Sequence, residues 1–79
     1  MIDFDLEYKF REKFGHIYCF ITGGIIYNCK KSGKSYEFPK KYKMENINLL
    51  MQKSLANNHD YVFDLLKNNE LHLRDDVLY

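Results

Sequence analysis

The chain has 79 residues, of which 46% are hydrophobic and 29% are charged, and its formal net charge is +1. This length predicts a single domain over residues 1–79 with one small core. The composition excludes a wholly disordered chain, and no apolar run approaches the roughly 20 residues that a membrane-spanning helix needs.

The two cysteines, Cys19 and Cys29, form no Cys-x-x-Cys pair, and the three histidines show no metal-ligand spacing. We therefore expect no metal and no cofactor. The chain starts at Met1 without an apolar leader, which favours a cytoplasmic protein with reduced thiols over a secreted disulfide scaffold.

The first segment alternates between apolar and charged residues from Ile2 to Arg11. A period of two predicts a strand with one buried face and one face in water. Three further strands are predicted over residues 16–22, 25–31 and 34–38. Gly23-Gly24 and Ser32-Gly33 fall between them, and both pairs are typical of two-residue hairpin turns.

Two-residue turns fix a register in which Phe20 faces Tyr27, and Cys29 faces Tyr36. Cys19 and Cys29 then leave opposite faces of the sheet. One face is expected to form the main core and carries Tyr18, Phe20, Tyr27, Cys29, Tyr36 and Phe38. The other face carries a smaller apolar patch of Ile17, Cys19, Ile21 and Ile26.

After Tyr42 the apolar residues recur at helical spacing, which predicts helices over residues 45–57 and 60–67. The predicted fold class is therefore α+β, a four-stranded antiparallel meander followed by two helices packed on one face. The strands fall within 2–38 and the helices within 44–68. Residues 70–79 are either a tail or a short fifth strand.

Catalytic motifs are absent from the sequence. The segment from Asn28 to Ser35 approaches a phosphate-binding loop, but the first glycine of that motif is missing and a strand pattern follows where a helix is required. No nucleophile lies in a recognisable context with a base, and a domain of this size rarely encloses a catalytic cleft. We expect a protein that is not an enzyme.

Charge is distributed unevenly. Residues 1–29 carry a net charge of −1, residues 30–43 carry +5, and residues 44–79 carry −3. The basic segment with its interleaved tyrosines predicts contact with nucleic acid or with an acidic partner. The residues proposed for that contact are Lys31, Lys34, Tyr36, Lys40, Lys41 and Tyr42. A second hypothesis takes Asp3, Asp5 and Glu7, at roughly 7 Å spacing on a strand face, as mimics of a phosphate backbone.

The function expected from these features is protein binding. The predicted contact surface combines the isoleucine patch with nearby charges, namely Ile17, Ile21, Ile26, Lys30 and Glu37. Residues with AT-rich codons dominate the chain, so we expect a phage or mobile-element protein that inhibits a host protein, for example a nucleic-acid-processing defence complex, as anti-CRISPR proteins do. Two alternatives stay open, a nucleic-acid-binding module that uses the basic hairpin and a small homodimeric structural or adaptor protein.

Overall fold

The structure is a computed structural model, and it describes residues 2–19 and 24–68. These residues form an α+β fold in which three helices and a three-stranded antiparallel sheet share one core. Along the chain the order is α1 (Phe4–Lys13), β1 (Gly15–Cys19), β2 (Ile25–Cys29), β3 (Ser35–Glu37), α2 (Met44–Asn57) and α3 (Tyr61–Asn68). The fold class is confirmed, but the predicted four strands and two helices differ from these elements in detail.

The predicted first strand is wrong, because residues 4–13 form helix α1. The Asp3 side chain caps the helix by accepting a hydrogen bond from the backbone N–H of Leu6 at 3.2 Å. Acidic residues in the first turn, and Arg11 and Lys13 in the last turn, complement the helix dipole. Leu6 and Phe10 are also one helical turn apart, and both pack into the core.

The turn from α1 into β1 depends on Gly15. Its φ of +140° is rarely adopted by residues with a side chain, and a Cβ atom there would lie 2.1 Å from the carbonyl oxygen of Asn28. The chain thus passes from the helix to the strand through one intervening residue, Phe14, which is the helix C-cap.

The register of β1 against β2 differs from the prediction. Ile17 pairs with Tyr27 and Cys19 pairs with Ile25, so five residues separate the two strands where a two-residue Gly23-Gly24 turn was predicted. This shift of three positions reverses the faces of β1, because side chains alternate along a strand. Ile17 and Cys19 share a face with Tyr27 and Cys29, and the prediction that Cys19 and Cys29 leave opposite faces is wrong.

The register of β2 against β3 is shifted by two residues, because Tyr27 faces Tyr36 and Asn28 faces Ser35. An even shift preserves the faces, so the predicted grouping of Tyr27, Cys29, Tyr36 and Phe38 is retained. The segment that resembles a phosphate-binding loop leads into β3 and not into a helix.

The two predicted helices within 44–68 are present as α2 and α3, and they cover the sheet face that carries Tyr27. Asn58 ends α2 in the left-handed conformation, with φ of 51°. Buried side chains from all three helices and the sheet meet in the core: Phe10, Ile17, Ile25, Tyr27, Cys29, Phe38, Ile47, Met51, Val62 and Leu66. The predicted tail or strand over residues 70–79 lies outside the described residues.

Candidate functional site

Three exposed aromatic side chains surround a groove where α1 packs along β1. Phe4 is 73% exposed, Tyr8 is 55% exposed, and both lie on α1 one helical turn apart; Tyr18 on β1 is 42% exposed. The groove has a volume of about 530 Å³. We call it the aromatic groove. It is lined by Ile2, Phe4, Glu7, Tyr8, Arg11, His16, Ile17, Tyr18 and Cys19.

A buried carboxylate fastens the two walls of this groove together. Oε1 of Glu7, on α1, accepts a hydrogen bond from the backbone N–H of Ile17 at 3.2 Å. The same oxygen lies 3.2 Å from Nε2 of His16. Because β1 is at the edge of the sheet formed by the described strands, this N–H would otherwise lack a strand partner. The carboxylate satisfies it and fixes α1 beside β1.

A second groove, of about 570 Å³, adjoins the first. The two grooves share Arg11, His16 and Tyr18, and the second also reaches Lys30 at the end of β2. Most of its exposed surface is apolar, and its charged lining residues are Arg11 and Lys30, after which we call it the basic groove. Its lining consists of Arg11, Gly15, His16, Tyr18, Asn28, Cys29, Lys30 and Gly33.

The two cations of the basic groove are held in place by neighbours. The guanidinium of Arg11 lies over the ring of Tyr8, 5.5 Å from its centroid. Lys30 donates a hydrogen bond through Nζ to the backbone carbonyl of Glu12 at 2.9 Å, which also places a positive charge at the C-terminal end of α1. An ammonium has three donors, so Lys30 retains donors for a ligand.

Two residues of the predicted isoleucine contact surface are buried. Ile17 is 2% exposed and Ile26 is 1% exposed, so neither offers an apolar side chain on the outer surface as predicted, although Ile17 lies at the floor of the aromatic groove. Ile17 was placed on the outer face by the incorrect register, whereas it lies in the core. Of the remaining residues, Lys30 lines the basic groove, Glu37 is half-buried on β3, and Ile21 lies outside the described residues.

The lysines of the basic segment do not form one patch. Lys30, Lys31 and Lys34 lie at the β2–β3 turn, whereas Lys40 and Lys41 follow β3 at its other end. The two tyrosines proposed to stack on bases pack against the protein instead. Tyr36 lies edge-on against Phe63, with ring centroids 5.5 Å apart, and Tyr42 packs against Phe38 at 6.1 Å.

The predicted row of phosphate-mimicking acids does not exist, because its residues lie on a helix. Asp3 is the helix cap, Glu7 is buried, and only Asp5 is an exposed acid of the first turn. Carboxylates at successive positions two apart point in different directions on a helix, so the spacing of a strand face is lost.

A buried polar cluster joins the sheet to α3. The hydroxyl of Tyr27 lies 2.7 Å from the carbonyl oxygen of Phe14 and 2.6 Å from Oδ2 of Asp60, whose Oδ1 accepts a hydrogen bond from the N–H of Phe63. Burial raises the pKa of Asp60 above its usual value, although the hydrogen bond from Tyr27 lowers it in part. Burial, together with the neighbouring Asp60, also raises the pKa of Tyr27. Cys29 lies 4.0 Å from the same carboxyl.

This cluster caps α3 through Asp60, and its thiol, Cys29, is 1% exposed. Among the described residues no group of three histidine, cysteine, aspartate or glutamate side chains could hold a metal ion. No helix in the described part of the chain is long and apolar enough to cross a membrane.

Three of the predicted site residues line the grooves, namely Glu7, Ile17 and Lys30. The sequence analysis does not single out Phe4, Tyr8, Arg11 and Tyr18, because it predicts a strand for the first segment and a different register for β1. The available signal was Asp3 as a helix cap, followed by Phe4, Tyr8 and Arg11 on one helical face. Comparison of the chain with protein-family models, curated proteins and solved structures finds no match.

Proposed function

We propose that the chain is a small, non-enzymatic binding module that engages a partner protein through the aromatic groove. The observation that carries this proposal is the convergence of Phe4, Tyr8 and Tyr18 on one groove. Their exposure is unusual, because most of the other large apolar side chains of the described residues are buried or half-buried. Exposed aromatic residues beside an arginine are typical of the energetically dominant centre of a protein interface.

The nature of the partner is part of the same proposal. The AT-rich residue usage supports a phage or mobile-element origin, and a host protein, such as a defence nuclease complex, is the partner we expect it to inhibit. A cytoplasmic location agrees with two free thiols in the chain.

The test uses matched substitutions of exposed hydrophobic residues. Phe4→Ser and Tyr8→Ala remove groove side chains, whereas Leu49→Ser removes an exposed leucine of α2 that lines neither groove. The tagged protein is used to isolate a host protein, and its affinity for each purified variant is measured by calorimetry. We expect the Leu49 variant to bind like the original chain and each groove variant to bind about tenfold or more weakly.

Two outcomes would contradict the proposal. One is unchanged affinity in the groove variants, which would place the interface elsewhere on the chain. The other is a solution mass of twice 9.6 kDa that falls to the monomer mass with Phe4→Ser or Tyr8→Ala, because the groove would then hold a second copy of the chain.

A further inference from the structure

The two grooves form one continuous surface. Arg11, His16 and Tyr18 line both, and the rings of His16 and Tyr18 are in contact, with centroids 4.1 Å apart. A ligand that lies in the aromatic groove therefore meets the basic groove when it continues past this ring pair. The charged residues of the basic groove restrict which chemical group the ligand can place in that groove.

The basic groove is suited to an anion. Its cations are Arg11 and Lys30, and His16 directs Nε2 toward Glu7 of the aromatic groove. Both cations are held by contacts within the protein, the first with Tyr8 and the second with the carbonyl of Glu12. Less side-chain freedom is therefore lost when they bind an anion. Nearby exposed lysines at positions 31 and 34 add attraction at longer range.

The groove pair favours a carboxylate over a nucleic-acid phosphate. Nucleic-acid-binding domains are usually basic as a whole, whereas this chain has a net charge of +1. Its other lysine group lies at the far end of β3, so a backbone of many phosphates would find few contacts. An apolar groove that ends at two cations instead matches a peptide with an apolar anchor and an adjacent acid.

We infer that the partner segment is an acidic peptide, whose aromatic or aliphatic residue occupies the aromatic groove and whose carboxylate binds Arg11 and Lys30. This inference rests on the proposed function, since it names the chemistry of the partner at the same site. It adds one requirement, an aspartate or glutamate close to the apolar anchor.

The experiment is a selection of phage-displayed random dodecapeptides on the immobilised chain, followed by fluorescence anisotropy of the enriched peptides. We expect peptides with an aromatic or aliphatic residue near an acid. Their affinity is expected to fall about tenfold or more with Arg11→Glu/Lys30→Glu, and less with Arg11→Gln/Lys30→Gln. The control Lys53→Glu/Lys67→Glu makes the same change in net charge outside both grooves and should bind like the original chain. Circular dichroism verifies that each variant is folded.

The outcomes separate the inference from the proposed function. Peptides that bind through Tyr8 but lack acids would overturn the inference and leave the proposed function intact. Acidic peptides that require Arg11 and Lys30 but are insensitive to Phe4→Ser and Tyr8→Ala would contradict the aromatic groove as the anchor site. Failure to enrich any peptide would overturn the inference, whereas the proposed function is decided by the affinity of the isolated host protein for the groove variants. Binding of a labelled oligothymidylate that is lost with Arg11→Glu/Lys30→Glu would replace the acidic peptide with nucleic acid.

Discussion

At the scale of single residues, the hydroxyl hydrogen of Tyr27 faces two acceptors, the carbonyl oxygen of Phe14 and the carboxyl of Asp60. A phenol has one hydrogen to donate, so the Tyr27 hydroxyl cannot donate fully to both oxygens at once, and its hydrogen bond to the Asp60 carboxylate is weakened. This arrangement agrees with the raised pKa of Asp60, for which burial is the largest cause.

The first prediction concerns the pH dependence of stability. A carboxyl whose pKa is raised by folding binds its proton more tightly in the folded chain than in the unfolded chain. The protonated carboxyl therefore stabilises the folded chain fully at a pH below the pKa of the unfolded chain. This stabilisation is lost as the pH rises through the pKa of the folded chain. Asp60→Asn retains an oxygen to cap α3 and does not titrate. We expect the unfolding free energy of the original chain, relative to the variant, to decrease as pH rises above about 4.

Urea unfolding of both proteins between about pH 4 and pH 8 measures this difference. Asp64 and His59 lie near Asp60 and are present in both proteins, so the comparison reports on the substitution at Asp60. A difference that stays constant or increases with pH would show that Asp60 is ionised at no cost in the folded chain.

The second prediction compares two glycines with positive φ. Gly15→Ala would place a Cβ atom 2.1 Å from a backbone oxygen, whereas at Gly33, with φ of +69°, a Cβ atom would meet nothing within 4 Å. We expect Gly33→Ala to cost about 1 kcal/mol from its backbone conformation alone, and Gly15→Ala to cost well over ~2 kcal/mol or prevent folding. Thermal unfolding of the two variants checks the order, and an equal cost at both positions would contradict the tight turn at Gly15.

At the scale of elements, the fold depends on how α1 is fastened to the edge of the sheet. Glu7 is the residue responsible, since Oε1 lies within 3.2 Å of both the N–H of Ile17 and Nε2 of His16. Acidic residues are rarely buried this far without a partner, and here the backbone N–H of Ile17 and the ring of His16 are the partners.

The third prediction tests this fastening. Glu7→Ala leaves the buried N–H of Ile17 without an acceptor and should lower the unfolding free energy by about 1–3 kcal/mol. Glu7→Gln retains an oxygen acceptor and should cost less. Hydrogen exchange provides the local measurement, because the amide of Ile17 should exchange faster in the alanine variant than in the glutamine variant. Unchanged protection of that amide in both variants would contradict the contact.

The elements themselves were predictable from the sequence in part. The helices α2 and α3 have unambiguous helical spacing, and turn residues delimit β2 and β3. The segment from Ile2 to Phe10 was ambiguous, because its alternation fits a strand while Leu6 and Phe10 also fit one face of a helix. The cap at Asp3 and the charged residues at both ends of the segment favour the helix over the strand. These features are not visible in the spacing of the apolar residues alone.

The candidate site was less predictable than the fold. The two walls of the site come from α1 and β1. A strand is predicted where α1 lies, and β1 is predicted with a different register against β2. A register depends on the length of the turn, and Gly23-Gly24 suggested two residues where the strands leave five between them. A shift by an odd number exchanges the buried and exposed faces of β1, so Ile17 and Tyr18 were interchanged.

At the scale of the whole molecule, the two cysteines report on the packing of the core, and they give the fourth prediction. Cys19 is exposed and Cys29 is buried, and both are free thiols. We expect Ellman's reagent to modify one thiol rapidly in the native protein and the second only at the rate at which the core opens. Cys19→Ala should remove the fast phase and Cys29→Ala the slow phase.

Denaturant should make both thiols react rapidly, which serves as the internal control. Two fast phases in the native protein would mean that the core around Tyr27 is open, and the packing of the helices on the sheet would then be wrong. The same labelling separates binding defects from folding defects in the groove variants, since a folded variant retains the slow phase.

The passage from α1 to β1 through Phe14 alone has a kinetic consequence for recognition. With one residue between them, and with Glu7 joining them partway along, these two elements have little freedom to separate. An incoming peptide meets a receptor whose shape already exists, so little ordering entropy of the receptor is lost on binding. The association rate constant should then be the ~10⁵–10⁷ M⁻¹ s⁻¹ typical of rigid partners, and stopped-flow traces should show a single phase. Differences in affinity among ligands should appear in their dissociation rate constants.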